Sequence, residues 1–134
     1  MKKLILIVIA MVFLTACGQS SENTQITEIT REAVYMNITA QQAKEMMDSL
    51  EGYIILDTRT QEEYDEGHIP GAILIPHDEI LGKAESVLTD KNQLILVYCR
   101  SGRRSKLAAA DLQKLGYTNI YEFGGIIDWP YETE

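Results

Sequence analysis

One thiol, Cys99, stands at the head of a strongly basic segment. Residues 99–106 hold four basic side chains and no acidic one, although the whole chain has a net charge of −8 at pH 7. A free thiol has a pKa of about 8.5, and nearby cations or a helix N-terminus lower that pKa, which enriches the reactive thiolate. We therefore expect Cys99 to act as a nucleophile. The alternative is a buried, inert Cys at the end of a strand.

The residues that follow Cys99 form a candidate anion site. They lie between the strongest strand pattern, 93–98, and the strongest helix pattern, 105–115. A strand–loop–helix turn directs successive backbone N–H groups at one point, and the helix N-terminus adds a partial positive charge. The predicted anion cradle consists of Arg100, Ser101, Gly102, Arg103, Arg104 and Ser105.

Short apolar runs alternate with helical patterns along the rest of the chain. Strands are predicted at 34–38, 53–56, 72–75, 93–98 and 119–123. Helices are predicted at 39–50, 60–66, part of 80–88 and 105–115, and a last helical turn is predicted at 126–131. Capping-box patterns begin at Thr39 and Thr60. This alternation predicts an α/β fold with a mainly parallel sheet of about five strands flanked by helices.

Sites in such sheets lie beyond the carboxyl ends of the strands. The residues after Leu56 and Tyr98 are therefore expected at the same edge. Asp57 is expected there to orient the active loop, to bind Arg59 or to cap a turn. We expect Arg59 to add a guanidinium to the anion site, the alternative being a free surface Arg.

The N-terminus has the pattern of a targeting segment. A basic start, Met1–Lys3, precedes an apolar run of eleven residues, Leu4–Leu14, whereas a membrane-spanning helix needs about 20. The run ends in Leu14-Thr15-Ala16-Cys17, which resembles the lipobox of bacterial lipoproteins, where the Cys is lipidated. An ordinary secretory signal with a chance Cys is the alternative. We predict a signal peptide at 1–16, a lipidated Cys17 with a flexible tether at 17–33, and one domain at 34–134.

These assignments locate the protein and exclude several classes. Two acyl chains on Cys17 would hold it outside the cytoplasm, attached to the bacterial cell membrane through the lipid anchor only. Cys99 would then be its only free thiol. Loss of Lys2 and Lys3 takes the net charge to −10, which argues against nucleic-acid binding. Two Cys and two His, not clustered, argue against a structural zinc site.

Several motifs, in order from about Val34 to Tyr131, resemble a rhodanese domain. They are Leu56-Asp57-Thr58-Arg59, Glu63-Tyr64, Gly67-His68-Ile69-Pro70-Gly71-Ala72, Ile75-Pro76, Val97–Ser105, Leu115-Gly116-Tyr117, Gly124-Gly125 and Trp129. The resemblance implies a rhodanese-like fold and a sulfurtransferase. Cys99 would take a sulfane sulfur from a small anion, with thiosulfate as the donor class, and hold it as a persulfide. The acceptor would be cyanide, a small thiol or a protein thiol, and no cofactor is implied.

The residues suit that chemistry. A thiolate would attack the outer sulfur of thiosulfate, and sulfite would leave with negative charge. The fork-shaped donors of Arg103 and Arg104 can hold the dianion, while loop N–H groups stabilise the persulfide. An ionised nucleophile needs no general base.

Two other functions remain possible from the sequence. Phosphatases and arsenate reductases of this type need an Arg six positions after the Cys, where this chain has Ser105. Arg104 lies one position too early, and the shorter loop favours a sulfur donor over phosphate. A non-enzymatic binding module, or a redox or persulfide sensor, is the second alternative. Rhodanese-like domains without the Cys serve as interaction modules, so Cys99 argues against it.

Overall fold

The computed structural model describes residues 35–134, so the predicted signal peptide, Cys17 and the whole tether lie outside the described residues. The strands are β1 (Met36–Asn37), β2 (Tyr53–Asp57), β3 (Ile73–Leu74), β4 (Leu94–Cys99) and β5 (Ile120–Gly125). The α-helices are α1 (Ala40–Ser49), α2 (Gln61–Glu66), α3 (Ile80–Val87) and α4 (Arg103–Lys114). Short 3-10 turns cover His77–Glu79 and Ile126–Asp128. Within this part of the chain, no helix has the length and apolar character needed to cross a membrane.

The five strands form one parallel sheet in the order β1-β5-β4-β2-β3. The predicted α/β fold is therefore confirmed. Strand β4 is central and buried on both faces: Ile95 and Val97 belong to the core beneath α3 and α4, whereas Leu96 and Tyr98 belong to the core on the α1 side. Its position fixes the direction in which the chain leaves the sheet at Cys99.

Local sequence accounts for the starts of two helices. The Thr39 hydroxyl accepts the Gln42 N–H at 3.1 Å, and the Gln42 side chain accepts the Thr39 N–H at 2.9 Å. Thr60 and Glu63 form the same reciprocal pair at the start of α2. Both predicted capping boxes are present, and the second places Glu63 near the functional edge.

Two predicted boundaries were wrong near the ends of elements. Helix α4 begins at Arg103 and not at 105, because Gly102 adopts a φ of +101° and turns the chain directly into the helix. The last helical turn covers only Ile126–Asp128 and not 126–131. The earlier start of α4 is important for the site because it puts Arg103, Arg104 and Ser105 in the first turn of the helix.

Candidate active site

Cys99 is the last residue of β4, and its thiol lies against the start of α4. Its Sγ accepts the Gly102 N–H at 3.0 Å, and the residue is only 1% exposed. Burial raises the pKa of the thiol, whereas the Ser105 side chain and the N–H groups of Ser105, Gly102 and Ser101 lower it by more. The pKa therefore lies below its ordinary value, as expected for a thiolate at a helix N-terminus.

The loop rests directly on the end of β5. Cys99 pairs with Gly125, and the Ile127 N–H donates to the Arg100 carbonyl at 3.2 Å. A Cβ on Gly125 would lie 1.9 Å from that carbonyl oxygen, so a side chain has no room there. Gly125 belongs to one of the sequence motifs, but its role could not be predicted, because the contact with Arg100 joins segments that are far apart in the chain.

Arg104 does not present a free guanidinium. Its Nη1 and Nη2 each donate at 2.7 Å to one carboxylate oxygen of Glu63. This bidentate pair, about four-fifths buried, ties the first turn of α4 to the N-terminus of α2. The hydrogen bonds from Arg104 are the main cause of a Glu63 pKa of about 2. From the sequence, the guanidinium groups of both Arg103 and Arg104 were expected to bind the donor anion. In the structure, the guanidinium group of Arg104 binds Glu63.

Arg59 is also engaged within the protein. Its Nε and Nη2 donate to the Asp57 carboxylate at 2.7–3.0 Å, and Nη2 donates to the Gly67 carbonyl at 2.7 Å. Asp57 also accepts a hydrogen bond at 2.6 Å from the hydroxyl of Tyr98, the residue that precedes Cys99 in the chain. Of the roles expected for Asp57, the structure shows two. The carboxylate binds the Arg59 guanidinium, and its Oδ1 caps the following turn by accepting the Arg59 backbone N–H at 2.9 Å. Arg59 is buried and is not a free surface Arg. Its guanidinium group binds Asp57 and was expected to bind the donor anion.

The remaining members of the predicted cradle differ in exposure. Among residues 35–134, the side chains of Arg100 and Arg103 are exposed and form neither a hydrogen bond nor an ion pair. Ser101 is exposed as well, whereas Gly102 and Ser105 are buried beneath it. The guanidinium groups of Arg100 and Arg103 are therefore open to solvent.

Glu122, which the sequence analysis did not single out, lies buried under the loop. Its Oε1 accepts the Ser105 hydroxyl at 2.5 Å and the Gly124 N–H at 2.9 Å, and the residue is 2% exposed. Lys106 Nζ lies 3.9 Å from its other oxygen. Its position could have indicated a role, because Glu122 is an acidic residue within the predicted strand 119–123, and buried carboxylates are rare unless they have partners.

No group of three or more His, Cys, Asp or Glu side chains in the described region is arranged to hold a metal ion.

The sequence profile of the rhodanese-like domain matches residues 39–130. The chain belongs to the rhodanese-like domain family.

Individual relatives extend the comparison. Thiosulfate sulfurtransferase PspE of Escherichia coli (strain K12) is 38% identical over 73 residues, which cover 54% of this chain and 70% of PspE. YrkF of Bacillus subtilis (strain 168) is 38% identical over 125 residues, which cover 91% of this chain but only 62% of YrkF. A solved structure described as rhodanese with anions from E. coli has a TM-score of 0.58 and 34% identity, covering 61% of this chain and 96% of that one. Relatives named as sulfurtransferases support sulfur transfer as the activity at the level of the family.

Proposed function

We propose that this protein is a thiosulfate sulfurtransferase with Cys99 as its nucleophile. The observation that carries the proposal is the position of Sγ, 3.0 Å from the Gly102 N–H at the start of α4. Converging N–H groups and the lowered pKa of the thiol suit an anionic sulfur nucleophile. The match to PspE over 70% of its length supports thiosulfate as the donor.

The reaction has two half-reactions. In the first, the Cys99 thiolate attacks the outer sulfur of thiosulfate, a new S–S bond forms, and sulfite leaves with the electron pair of the bond that breaks. In the second, cyanide or a thiolate attacks the outer sulfur of the persulfide and regenerates the Cys99 thiolate. Arg100 and Arg103 would hold the sulfonate end of the donor, since guanidinium groups bind such oxygens with paired hydrogen bonds.

The mass of the Cys99 peptide, measured before and after thiosulfate treatment, tests the proposal. We expect a gain of one sulfur atom that cyanide reverses. Cys17→Ser is the matched control and should keep the gain, whereas Cys99→Ser should lose it. A folded, reduced protein that gains no sulfur would overturn thiosulfate as the donor. If the mass of the Cys99 peptide increased with polysulfide but not with thiosulfate, the donor would be a sulfane sulfur compound other than thiosulfate.

We also propose that the protein is lipidated on Cys17 and lies outside the cytoplasm, anchored by this lipid to the bacterial cell membrane. The apolar run followed by Leu14-Thr15-Ala16-Cys17 supports this. Labelling cells with a fatty-acid analogue should mark the wild type and Cys99→Ser but not Cys17→Ser. An unlabelled, secreted wild-type protein would instead indicate an ordinary signal peptide.

A further inference from the structure

Helix α4 presents exposed basic side chains beside the loop that starts at Cys99. Arg103 is exposed in the first turn of the helix, and the next turn carries Lys106, whose side chain is 54% exposed, and Leu107, which is 47% exposed. Successive residues of a helix lie about 100° apart, so these three side chains share one face about 100° wide. Arg104 lies outside this face, where it pairs with Glu63.

The same surface continues across the loop to the turn that follows β5. The Ile127 N–H donates to the Arg100 carbonyl at 3.2 Å, and both residues are exposed, Ile127 to 61%. We call this surface the basic face, and its five members are Arg100, Arg103, Lys106, Leu107 and Ile127. It joins the first two turns of α4 to the end of β5.

Lys106 brings the basic face close to the sulfur. Its Nζ lies 3.9 Å from Glu122 Oε2, a distance longer than a hydrogen bond, and 3.4 Å from the position of a Cβ on Gly102. The Gly102 N–H faces Cys99 Sγ at 3.0 Å, so the ammonium group is no more than about 9 Å from the sulfur. A partner that contacts Lys106 therefore also lies beside Cys99.

The charge of this surface is opposite to that of the chain. Residues 99–110 contain no acidic residue, whereas the whole chain has a net charge of −8. Two carboxylates are neighbours: Asp128, which is exposed and follows Ile127, and Glu122, which is only 2% exposed. The three exposed cations of the basic face thus outnumber its one exposed acidic neighbour. Opposite charges across an interface steer encounter and fix orientation, so this surface favours an acidic partner.

We propose that the basic face is a docking surface for a protein that carries acidic side chains beside its acceptor thiol. The role of that thiol rests on the function proposed above, in which an acceptor thiolate attacks the persulfide of Cys99. A small anion needs only guanidinium groups and gives no reason for the exposed Leu107 and Ile127, whereas protein interfaces combine apolar side chains with charged ones. A lipid surface would supply negative charge but no thiol.

Amide NMR shifts of the nitrogen-15-labelled protein test docking without any sulfur chemistry. The probe is a synthetic peptide with four Glu, two Leu and one Ser in place of the acceptor Cys, and a neutral peptide has Gln for each Glu. We expect the acidic peptide to shift amides of residues 100–107 and of Ile127 and to bind at least about threefold more tightly than the neutral peptide at low salt. Equal binding of the two peptides, or shifts confined to other surfaces, would overturn the proposal.

Matched variants test the two kinds of contact. Lys106→Gln should weaken binding of the acidic peptide about twofold to threefold, whereas Lys114→Gln, the same change at the far end of α4, should leave it unchanged. Leu107→Ser should weaken binding by a similar factor, and its control is Leu81→Ser at an exposed position of α3. If each variant bound the peptide as its control does, the basic face would not be the docking surface.

Discharge of the persulfide tests whether the docked partner is the acceptor. Protein loaded from thiosulfate or polysulfide is mixed with the two peptides, each with Cys restored in place of Ser. We expect the acidic peptide to be discharged onto faster than the neutral one at low concentration, and the ratio of the two rates to fall in Lys106→Gln but not in Lys114→Gln. Equal rates for the two peptides would overturn the acceptor role.

Two further outcomes separate this proposal from its neighbours. A protein that binds the acidic peptide as expected but gains no sulfur from any donor would support the docking surface and overturn the proposed sulfur transfer. Vesicles containing phosphatidylglycerol are the last probe. Binding to these vesicles that Lys106→Gln weakens, together with no response to the acidic peptide, would assign the basic face to a lipid surface and overturn the proposal.

Discussion

The sulfur of Cys99 faces hydrogen-bond donors that belong to the backbone. The Gly102 N–H faces Sγ at 3.0 Å, and the N–H groups of Ser101 and Ser105 contribute to the lowered pKa. Side-chain cations serve two different purposes around it. Arg100 and Arg103 are exposed, whereas Arg104 is paired with Glu63.

Substitution of Arg103 should therefore affect donor binding. We expect Arg103→Ala to raise the KM for thiosulfate about tenfold with little change in kcat, because a charge-assisted hydrogen bond contributes about 1.5–3 kcal/mol. Steady-state kinetics measure this effect. Arg103→Lys keeps the charge but loses the fork, so an intermediate KM is expected. An unchanged KM in the Ala variant would remove Arg103 from the binding site.

The pair between Glu63 and Arg104 should appear in the pH dependence of stability. The pKa of Glu63 falls from an ordinary 4.5 to about 2 in the folded protein. A lowered carboxyl pKa adds stability above the unfolded-state value, and this contribution disappears as the pH falls from about 4.5 to about 2. Urea unfolding of Glu63→Gln should show less stability than wild type at pH 7 and a converging value near pH 2. Glu66→Gln, one turn later, should follow the wild type throughout.

At the scale of elements, the site is the junction of β4, α4 and the end of β5. The Gly102 φ of +101° allows β4 to pass into α4 within three residues, and Gly125 allows the loop to lie on β5. The chain turns sharply enough here for the first-turn N–H groups of α4 to face the strand that precedes them.

Gly125→Ala should disrupt this junction. A methyl group would meet the Arg100 carbonyl, so the loop must shift, and we expect a loss of about 1–3 kcal/mol in unfolding free energy together with most of the sulfur loading. Gly82→Ala is the opposite control, since this glycine of α3 has nothing within 4 Å of the added carbon. It should add about 0.5–1 kcal/mol in urea unfolding and leave loading intact. Equal behaviour of the two variants would contradict the close contact.

The elements, and the position of Cys99 at the end of a strand, were predictable because their signals are local. The capping boxes span four residues, and the apolar run Leu94–Val97 marks a buried strand. The start of α4 was missed because helix propensity does not register the positive φ of Gly102. The pairing of Arg104 with Glu63, 41 positions apart, depends on how two helices pack, and the sequence shows only that each charge exists.

On the scale of the whole molecule, the site and the core share one strand. Strand β4 lies between β5 and β2, and its side chains enter the cores on both faces of the sheet. The loop therefore cannot keep its geometry once the sheet opens.

Leu96→Ala should test this dependence. The side chain is fully buried, so we expect a loss of about 2–5 kcal/mol in unfolding free energy. Sulfur loading measured across a urea series should disappear at the same urea concentration as the secondary structure, in the variant as in the wild type. Loading that persisted after the sheet had unfolded would separate the loop from the core.

The burial of Cys99 also sets which atom a partner can reach. With the residue 1% exposed, bulky oxidants and foreign thiols have almost no access to the resting sulfur. A persulfide would extend the side chain by one S–S bond of about 2.05 Å, so its outer sulfur would lie one bond length farther from the end of β4. Under the function proposed above, an acceptor would therefore meet the carried sulfur before the sulfur of Cys99 itself.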